Sequence, residues 1–354
     1  MESIYYVISW ACHRRCKHCY DTRFRPYVRG ALDNVIGEGQ DAYKKIIANL
    51  PDTMIYKDPK HKDAEGNPEE RIGRLILAGG EVLIDAMREP LFYPVLDAAN
   101  EKYGKNVRLS MQTTGDLVTP KLIDELLERN VWMIAVAGMD DFHVGMEGDK
   151  RLGLMEELTR MFEKAGIGPV PGPKSGRDHL TEDGPFYFFF GADPNQWIGE
   201  LWPRGRAWEN GLSKATMETN FCARHSGGKN FLNHGWAGSE VAIEPNGNVF
   251  PCCLKTKRPI GNLQEEKLTD ILDSLKGHPV FEAINQGAPE RMGTAHGWDE
   301  ARFAAASHTK TPKGEPYANL CIGCDRFFEE VMGPVLDEAR AKRLGSGAAA
   351  PAPA

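Results

Sequence analysis

The sequence predicts an α/β fold with parallel strands, followed by a smaller loop-rich region. Three observations support this prediction. Over the first 210 residues, short apolar runs typical of buried strands alternate with amphipathic stretches typical of helices. After about Gly211 the alternation stops, and turn-rich segments replace it. Alternating strands and helices imply parallel strands with right-handed crossovers, arranged as an open sheet or a partial barrel.

Five short apolar runs define the predicted strands of the front half. Functional residues of such folds lie at the carboxyl ends of the strands. The last run, Phe-Tyr-Phe-Phe-Phe, is apolar enough to suggest a strand buried on both faces. The predicted strands cover residues 4–10, 75–78, 107–113, 131–137 and 186–190.

The helices between these strands are predicted from caps and apolar stripes. Thr119 followed by Pro120 places a capping residue before a proline at the first helical position. Pro94 can likewise open the helix after the second strand. A further apolar stripe over residues 152–165 ends at Gly166, a residue that commonly terminates helices.

The turn and apolar patterns of the second half predict a β-hairpin and one short helix. Residues 241–243 and 249–250 flank a Pro-Asn-Gly turn, and residues 268–275 carry an apolar stripe at helical spacing. Residues 287–318 are polar and poorly patterned, and nothing in them indicates a ligand.

The length suggests about two domains. Two stretches interrupt the front pattern: residues 51–73 predict a surface insertion, and residues 168–184 a long loop. The domains we predict are a core over residues 1–210, an auxiliary domain over residues 211–340 and a disordered tail over residues 341–354.

Composition and charge restrict the class of protein. The 354 residues are 41% hydrophobic and 26% charged, which is ordinary for a globular chain. With 43 Lys and Arg against 50 Asp and Glu, the net charge is −7, so nucleic acid is not expected as the main partner. The sequence lacks an apolar run near the ~18 residues of a membrane span and lacks a signal-peptide pattern. We therefore expect a cytoplasmic protein whose clustered cysteines serve metal binding or catalysis rather than disulfides.

The first cysteine group follows the first predicted strand. Cys12, Cys16 and Cys19 have the spacing C-x3-C-x2-C, and three thiolates this close can converge on one metal centre. A structural zinc needs a fourth ligand, which His13 or His18 could supply. An iron–sulfur cubane held by three cysteines instead leaves one iron open for chemistry. The spacing alone leaves both possibilities open.

The remaining cysteines lie in the second half. Cys321 and Cys324 form a C-x2-C pair, and Cys252 and Cys222 complete a candidate four-cysteine site. Such a closed site suits a structural zinc or a second iron–sulfur cluster, and it would stabilise a loop-rich domain. Adjacent cysteines rarely serve one site equally, so Cys253 is interpreted as a spare thiol.

At these residues the chain resembles the radical S-adenosylmethionine (radical SAM) enzymes. The C-x3-C-x2-C loop after a first strand is typical of that family, with His18 where an aromatic residue is frequent. Four further segments resemble the family's motifs and occur in the family's order. They are Gly79-Gly80-Glu81, Gln112-Thr113-Thr114-Gly115, Met139-Asp140-Asp141 with His143 soon after, and Pro203-Arg204-Gly205-Arg206-Ala207.

The second half resembles the SPASM and twitch auxiliary-cluster domains. Residues 245–252 resemble their hairpin, and residues 260–263 follow it as in that group. A full SPASM domain has seven cysteines for two clusters, whereas this chain has no cysteine after Cys324. Four candidate ligands fit the shorter arrangement with one auxiliary cluster. Elsewhere Val82 stands where the radical SAM family has proline, and Gly138 where it has serine.

The resemblance implies a partial (β/α)6 TIM-like barrel followed by the small auxiliary domain. It implies a 4Fe–4S cluster on Cys12, Cys16 and Cys19 whose open iron binds S-adenosylmethionine (SAM), and a second, auxiliary 4Fe–4S cluster. The auxiliary ligands it implies are Cys222, Cys252, Cys321 and Cys324. The SAM-binding residues it implies are Gly79, Gly80, Glu81, Gln112 and Thr113.

The resemblance also implies the chemistry. Reductive cleavage of SAM gives a 5′-deoxyadenosyl radical, which abstracts hydrogen from a substrate C–H bond in an oxidation, a cross-link or a maturation step. We expect a peptide or small-molecule substrate and a flavodoxin- or ferredoxin-type electron donor, with no nucleic-acid or membrane partner. Eleven residues precede Cys12, which leaves no room for an N-terminal peptide-recognition domain and favours a small molecule or a peptide delivered by a partner. The alternative is an inactive zinc- or cluster-stabilised scaffold with the same fold.

Overall fold

The computed structural model describes residues 1–171, 183–192, 200–224 and 226–346. Nine strands of this described part form one sheet, and two short hairpins lie outside it. The strands are β1 (Ser3–Val7), β2 (Ile55–Lys62), β3 (Pro68–Ile72), β4 (Arg74–Ala78), β5 (Arg108–Thr113), β6 (Val131–Ala137), β7 (Gly168–Pro169), β8 (Phe186–Phe190), β9 (Glu240–Ile243), β10 (Asn248–Phe250), β11 (Gly261–Asn262), β12 (His308–Lys310) and β13 (Pro316–Ala318).

The helices alternate with the front strands and then dominate the second half. A π-helical turn, Arg88–Phe92, joins the second and third helices. The helices are α1 (Gly30–Asn49), α2 (Asp85–Met87), α3 (Tyr93–Tyr103), α4 (Pro120–Glu128), α5 (Lys150–Lys164), α6 (Gly205–Glu209), α7 (Leu268–Leu275), α8 (Pro279–Asn285), α9 (Glu300–Ala306), α10 (Leu320–Glu330) and α11 (Met332–Ser346).

The large sheet has the order β11-β10-β9-β1-β4-β5-β6-β8-β7. The strands from β1 to β7 in this order pair in parallel, so the carboxyl ends of β1, β4, β5, β6 and β8 lie along one edge. The sheet is open, with β11 and β7 at its ends. The chain is therefore an α/β protein with a predominantly parallel central sheet, as predicted.

Strand β9 comes from the second half of the chain but pairs in parallel with β1, where Ser3 faces Glu240. β10 and β11 then continue the sheet in antiparallel pairing. The sheet thus contains strands from both sides of the boundary predicted at residue 210. The sequence does not reveal this pairing, because strand pairing depends on tertiary contacts. The predicted division into domains itself stays a prediction.

The hydrophobic core lies between one face of the sheet and the helices. Ile4 and Tyr6 of β1 are fully buried with Leu75 and Leu77 of β4, because residues two apart on a strand share a face. Every residue of β4 is buried, as expected for a strand with parallel neighbours on both sides. This packing fixes the strand ends and therefore the loops that follow them.

The local sequence signals predict most elements well. The predicted strand over residues 131–137 and helix over residues 268–275 coincide with β6 and α7. Thr119 caps α4, since its side-chain oxygen accepts a hydrogen bond from the backbone N–H of Leu122 at 3.3 Å. The predicted hairpin after residue 240 is β9–β10. The first strand is shorter than predicted and ends at Val7, where the cysteine-bearing segment begins.

Several regions carry more structure than the sequence predicts. Residues 51–73 contain the hairpin β2–β3, and residues 287–318 contain α9 and the hairpin β12–β13. α11 continues to Ser346 where a tail from residue 341 was expected, and residues 347–354 lie outside the described residues. Strand β8 is buried less completely than expected, because its outer neighbour β7 is only two residues long. Most of the predicted loop over residues 168–184 also lies outside the described residues.

Candidate active site

The three cysteines of the first group converge at the carboxyl edge of the sheet. Cys12, Cys16 and Cys19 line one cavity of about 160 Å³, room for a small-molecule ligand rather than one or two waters. The same cavity is lined by four of the predicted SAM-binding residues, Gly79, Gly80, Gln112 and Thr113.

Arg206 holds the cysteine-bearing loop in place. Its guanidinium donates hydrogen bonds to the backbone oxygens of Cys16 at 2.8 Å, Thr22 at 3.1 Å and Phe24 at 2.6 Å. Its backbone N–H donates to the Cys19 oxygen at 2.8 Å. The side chain is 5% exposed, so these carbonyl groups would have few other partners. Arg206 therefore orders the loop around the cysteines.

Gly79 and Gly80 pass directly beside the cysteine-bearing loop. A Cβ atom on Gly80 would lie 2.2 Å from the Ala11 oxygen and 2.6 Å from the Cys12 Cβ atom. A Cβ atom on Gly79 would lie 2.9 Å from the Ser9 oxygen. Both glycines are therefore required for the end of β4 to pack against the loop, in addition to leaving their backbone open to the cavity.

Glu81 is placed differently from the sequence expectation. Its side chain is fully buried and does not line the cavity. Its carboxylate accepts hydrogen bonds from Thr113 Oγ1 at 2.9 Å, Thr114 Oγ1 at 2.8 Å and the backbone N–H groups of Thr114 at 2.6 Å and Leu83 at 3.0 Å. Burial raises the pKa of Glu81, and these donors counteract the rise. Glu81 ties the end of β4 to the end of β5, which the motif alone does not indicate.

Gln112 and Thr113 end β5 beside the cavity. The Gln112 side-chain oxygen accepts a hydrogen bond from Tyr5 Oη at 3.1 Å. Thr113 Oγ1, which donates to Glu81, accepts from the backbone N–H of Gly115 at 3.0 Å. The Thr113 hydroxyl is therefore fixed within the protein, whereas the Gln112 amide N–H groups donate to none of the described residues.

A second polar cluster lies where β6 ends. Asp140 is fully buried, and it accepts from His143 Nδ1 at 2.9 Å and from the backbone N–H of Ala192 at 2.9 Å. Burial would raise the pKa of Asp140, but the hydrogen bonds and charge of His143 hold it below its usual range. His143 and His18 line the cavity, with ring centroids 4.3 Å apart. Burial lowers the pKa of His18 to about 3, so this ring is neutral.

His13 and His18, the two histidines proposed as possible zinc ligands, lie in different surroundings. His13 Nε2 lies 2.7 Å from Asp116 Oδ2 near the surface. His18 lines the cysteine cavity, and its buried Nδ1 atom has no hydrogen-bond partner within the described ranges. His18, Asp140 and His143 also have ligand atoms within 4.8 Å of one another. Of the two, His18 is the one that lines the cavity of the cysteine group.

The four predicted auxiliary ligands form a second site. Cys222, Cys252, Cys321 and Cys324 line one small cavity of about 40 Å³, whose walls include Phe221 and other apolar residues. Cys321 and Cys324 lie in the first turns of α10, where Asn319 caps the helix by accepting from the backbone N–H of Cys321 at 2.9 Å. A C-x2-C pair in a helical turn places both thiols on one side.

Cys253 does not join the second site. It is 2% exposed, lines the first cavity, and its thiol donates to Glu240 Oε1 at 3.7 Å. The two residues lie in the turn that follows β10, where Cys252 lines the second cavity and Cys253 the first. The sequence interpretation of Cys253 as outside the four-cysteine set agrees with this placement, but its position in the first cavity was not foreseen.

Burial controls the protonation of both cysteine groups. It raises the pKa of Cys12 to about 12 and that of Cys19 to about 11. In the second group it raises the pKa of Cys252 to about 11 and that of Cys321 to about 12. Without metal these thiols are neutral, and metal binding must displace their protons. Clustered thiols with few other donors suit zinc or iron–sulfur clusters.

Sequence reasoning missed several residues around these cavities. Tyr20 and Trp202 line the first cavity with ring centroids 5.0 Å apart. Two other tryptophans lie elsewhere: Trp208 packs on Tyr317, and Trp236 is 45% exposed, while Trp197 lies outside the described residues. Aromatic residues carry no spacing signal for a cavity, so only the tertiary structure reveals Tyr20 there.

Residues 235–290 match the SPASM family, described as an iron-sulfur cluster-binding domain. This match confirms the predicted resemblance of the second half to SPASM domains over these residues. The matched segment contains Cys252 and Cys253, while the other predicted auxiliary ligands lie outside it. No curated protein matches the chain.

Among solved structures, the chain is similar to BtrN in complex with AdoMet and 2-DOIA, with 13% identity, a TM-score of 0.41, and coverage of 84% of this chain and 91% of that one. It is similar to anSMEcpe with bound AdoMet, with 15% identity, a TM-score of 0.42 and coverage of 96% and 99%. It is also similar to SuiB of Streptococcus suis bound to S-adenosylmethionine, with 12% identity, a TM-score of 0.39 and coverage of 80% and 67%.

In the part of the chain that the structure describes, no helix has both the length and the apolar character needed to cross a membrane.

Proposed function

We propose that this protein is a radical SAM enzyme. The observation that carries the proposal is the convergence of Cys12, Cys16 and Cys19 in one cavity with Gly79 and Gly80. Three thiols leave one position of a 4Fe–4S cluster open for SAM. When bound, the cluster supplies the electron that cleaves SAM into methionine and a 5′-deoxyadenosyl radical, which abstracts hydrogen from a substrate C–H bond.

The chain's own residues would bind and orient SAM and shield the radical from water. Gly79 and Gly80 present their backbone to the cavity, and the Gln112 amide offers donors at the end of β5. Thr113 and Glu81 contribute by fixing this edge, since their side chains bond to each other. Tyr20, Trp202 and other aromatic side chains wall the cavity and would exclude water from a reactive radical.

The second cysteine site supports a finer proposal. Cys222, Cys252, Cys321 and Cys324 would hold the auxiliary 4Fe–4S cluster, completing four thiol ligands. Such a closed cluster next to the substrate cavity suits an oxidation, a cross-link or another maturation step on a peptide or a small molecule. The enzyme is then an oxidoreductase or maturase supplied by a flavodoxin- or ferredoxin-type donor.

The first test is metal content and SAM cleavage. The protein is purified without oxygen, its iron, sulfide and zinc are counted, and dithionite and SAM are added. We expect about eight irons per chain, the number for two cubane clusters, and release of 5′-deoxyadenosine. A colourless zinc protein that cleaves no SAM after cluster reconstitution would overturn the proposal.

The competing hypothesis is an inactive scaffold of the same fold, which Val82 and Gly138 favour by departing from the family's motifs. The substitution Cys16→Ala separates the two. In the enzyme it abolishes SAM cleavage while the second site keeps its iron. In a zinc-stabilised scaffold it lowers zinc content and thermal stability, and there is no cleavage to lose.

A further inference from the structure

Two arginines of one short segment face the two cysteine sites. Arg206 bonds the loop that carries Cys16, as described above. Arg204 lies two residues earlier, and its side chain extends toward Cys321 instead. Between them, Gly205 has a φ of 51° and passes so near the Cys19 oxygen that a Cβ atom would lie 2.6 Å away. The segment therefore lies between the two sites with one cation directed at each.

The guanidinium of Arg204 is held firmly beside the second site. Its Nη2 atom donates to Asp325 Oδ1 at 2.8 Å and to the Cys321 backbone oxygen at 3.3 Å. Its Nε atom donates to the Leu254 oxygen at 3.4 Å. The side chain is only 15% exposed, and that of Asp325 is 14% exposed. The charge is therefore fixed and poorly screened by water.

Arg204 and Asp325 act on different cysteines. Arg204 bonds the backbone oxygens of Cys321 and of Leu254, which lies two residues after Cys252, whereas Asp325 directly follows Cys324. A guanidinium stays protonated at every pH a protein survives, so its charge is permanent. The ion pair thus places a permanent cation and an anion side by side next to one ligand set.

We propose that Arg204 is a positioning residue that raises the reduction potential of the cluster held by Cys222, Cys252, Cys321 and Cys324. The reduced cluster carries one more negative charge than the oxidised one, so a fixed cation stabilises the reduced form more. Net charge and hydrogen bonding around a cluster are established determinants of its potential. Asp325 has the opposite effect and limits the rise. This inference rests on the proposed function only in requiring an iron–sulfur cluster at the second site.

The test is a redox titration followed by electron paramagnetic resonance. It uses the full chain carrying Cys12→Ala, Cys16→Ala and Cys19→Ala, so that the signal comes from the second site alone, and a parallel titration of the unaltered chain. We expect Arg204→Gln to shift the midpoint potential to a more negative value at an unchanged iron content. Asp325→Asn should shift it to a more positive value, and Arg204→Lys should leave it near the starting value.

The matched control is Arg160→Gln, which removes one positive charge from an exposed position on α5 and should leave the potential unchanged. An unshifted potential in Arg204→Gln with its iron retained would overturn this inference and leave the proposed enzyme intact. If Arg204→Gln loses its cluster, Asp325→Asn decides: a positive shift supports the inference, and no shift overturns it. A second site that holds zinc in the unaltered chain would overturn this inference and the proposed auxiliary cluster, whereas SAM cleavage by the same protein decides the radical SAM proposal separately.

Discussion

Gly80 packs on Cys12 so closely that a methyl group at position 80 would come within 2.6 Å of the Cys12 Cβ atom. Real Cβ contacts are not this short, and the neighbouring Ala11 oxygen would be closer still, at 2.2 Å. The end of β4 and the first cysteine loop can therefore adopt their present arrangement only with glycine at this position.

The substitution Gly80→Ala should displace the cysteine loop. We expect iron to fall from about eight to about four atoms per chain, because only the second cluster remains. If some first cluster persists, 5′-deoxyadenosine formation should fall by about a hundredfold, the usual cost of a 1 Å misplacement at an active site. Gly153→Ala is the control, since nothing lies within 4 Å of a Cβ atom there. Full iron content and cleavage in Gly80→Ala would contradict the packing argument.

Arg206→Met should destabilise the metal-free protein. The substitution keeps much of the side-chain length but leaves the Thr22 and Phe24 oxygens without their donor, while the Cys16 oxygen keeps only the 3.4 Å bond from the Cys19 backbone N–H. We expect the free energy of unfolding to fall by about 2 kcal/mol or more, because each orphaned buried acceptor costs about 1–3 kcal/mol. Urea denaturation measures this change.

The control for Arg206 is Arg224→Gln. Arg224 pairs with Glu200 at 3.1 Å, but its side chain is 47% exposed. An exposed ion pair contributes less than about 1 kcal/mol, so this variant should unfold nearly like the unaltered protein. Equal losses in both variants would show that Arg206 has no special role in ordering the loop.

Substitution of the adjacent residues Cys252 and Cys253 should have different effects on the iron content. Cys252→Ala removes a ligand of the second site, and we expect about four irons per chain to be lost, one cubane cluster. Cys253→Ala should keep all the iron, since its thiol faces the first cavity and bonds to Glu240. Iron analysis after anaerobic purification measures both. A Cys253→Ala protein with half its iron would place Cys253 among the ligands.

Ionisation of Asp140 should make the free energy of unfolding depend on pH in the acid range. Hydrogen bonds and the charge of His143 lower the pKa of Asp140 in the folded state despite its burial. The ionised carboxylate therefore contributes stability that is present above about pH 4, the unfolded value, and is lost as the pH falls toward the lower folded value. Asp140→Asn should cost about 2 kcal/mol at pH 7, and the difference should narrow below pH ~4.

Urea denaturation of both proteins between pH 7 and pH 3 tests the Asp140 prediction. The control is Asp141→Asn, because the Asp141 side chain is 64% exposed although it neighbours Asp140. A stability difference for Asp140→Asn that stays constant down to pH 3 would show that the carboxylate charge is not what stabilises this loop.

The sequence predicts those features that depend on neighbours along the chain. Apolar runs mark β4, β6 and β8, and Thr119 marks the start of α4, because burial patterns and caps are local. The members of each predicted cysteine group line one cavity, while their role as metal ligands stays a prediction. Parallel strand ends meet at one edge, so motifs at those ends must come together.

Features that depend on distant partners are not predictable in this way. Glu81 turns away from the cavity because Thr113 and Thr114, which belong to another strand, supply its donors. Arg204 and Arg206 alternate in one short motif, yet only tertiary packing decides which cysteine site each one faces. The pairing of β9 with β1 has no local signal at all.

That pairing has a consequence for biosynthesis. Glu2 and Ser239, which flank the paired strands and bond to each other, are 237 residues apart. Ribosomes add about 5–20 residues per second, so β1 emerges roughly 10–50 s before β9 can cover its edge. An uncovered strand edge is a template for aggregation. The front half of the nascent chain must therefore keep the β1 edge of its sheet uncovered until β9 has been synthesised.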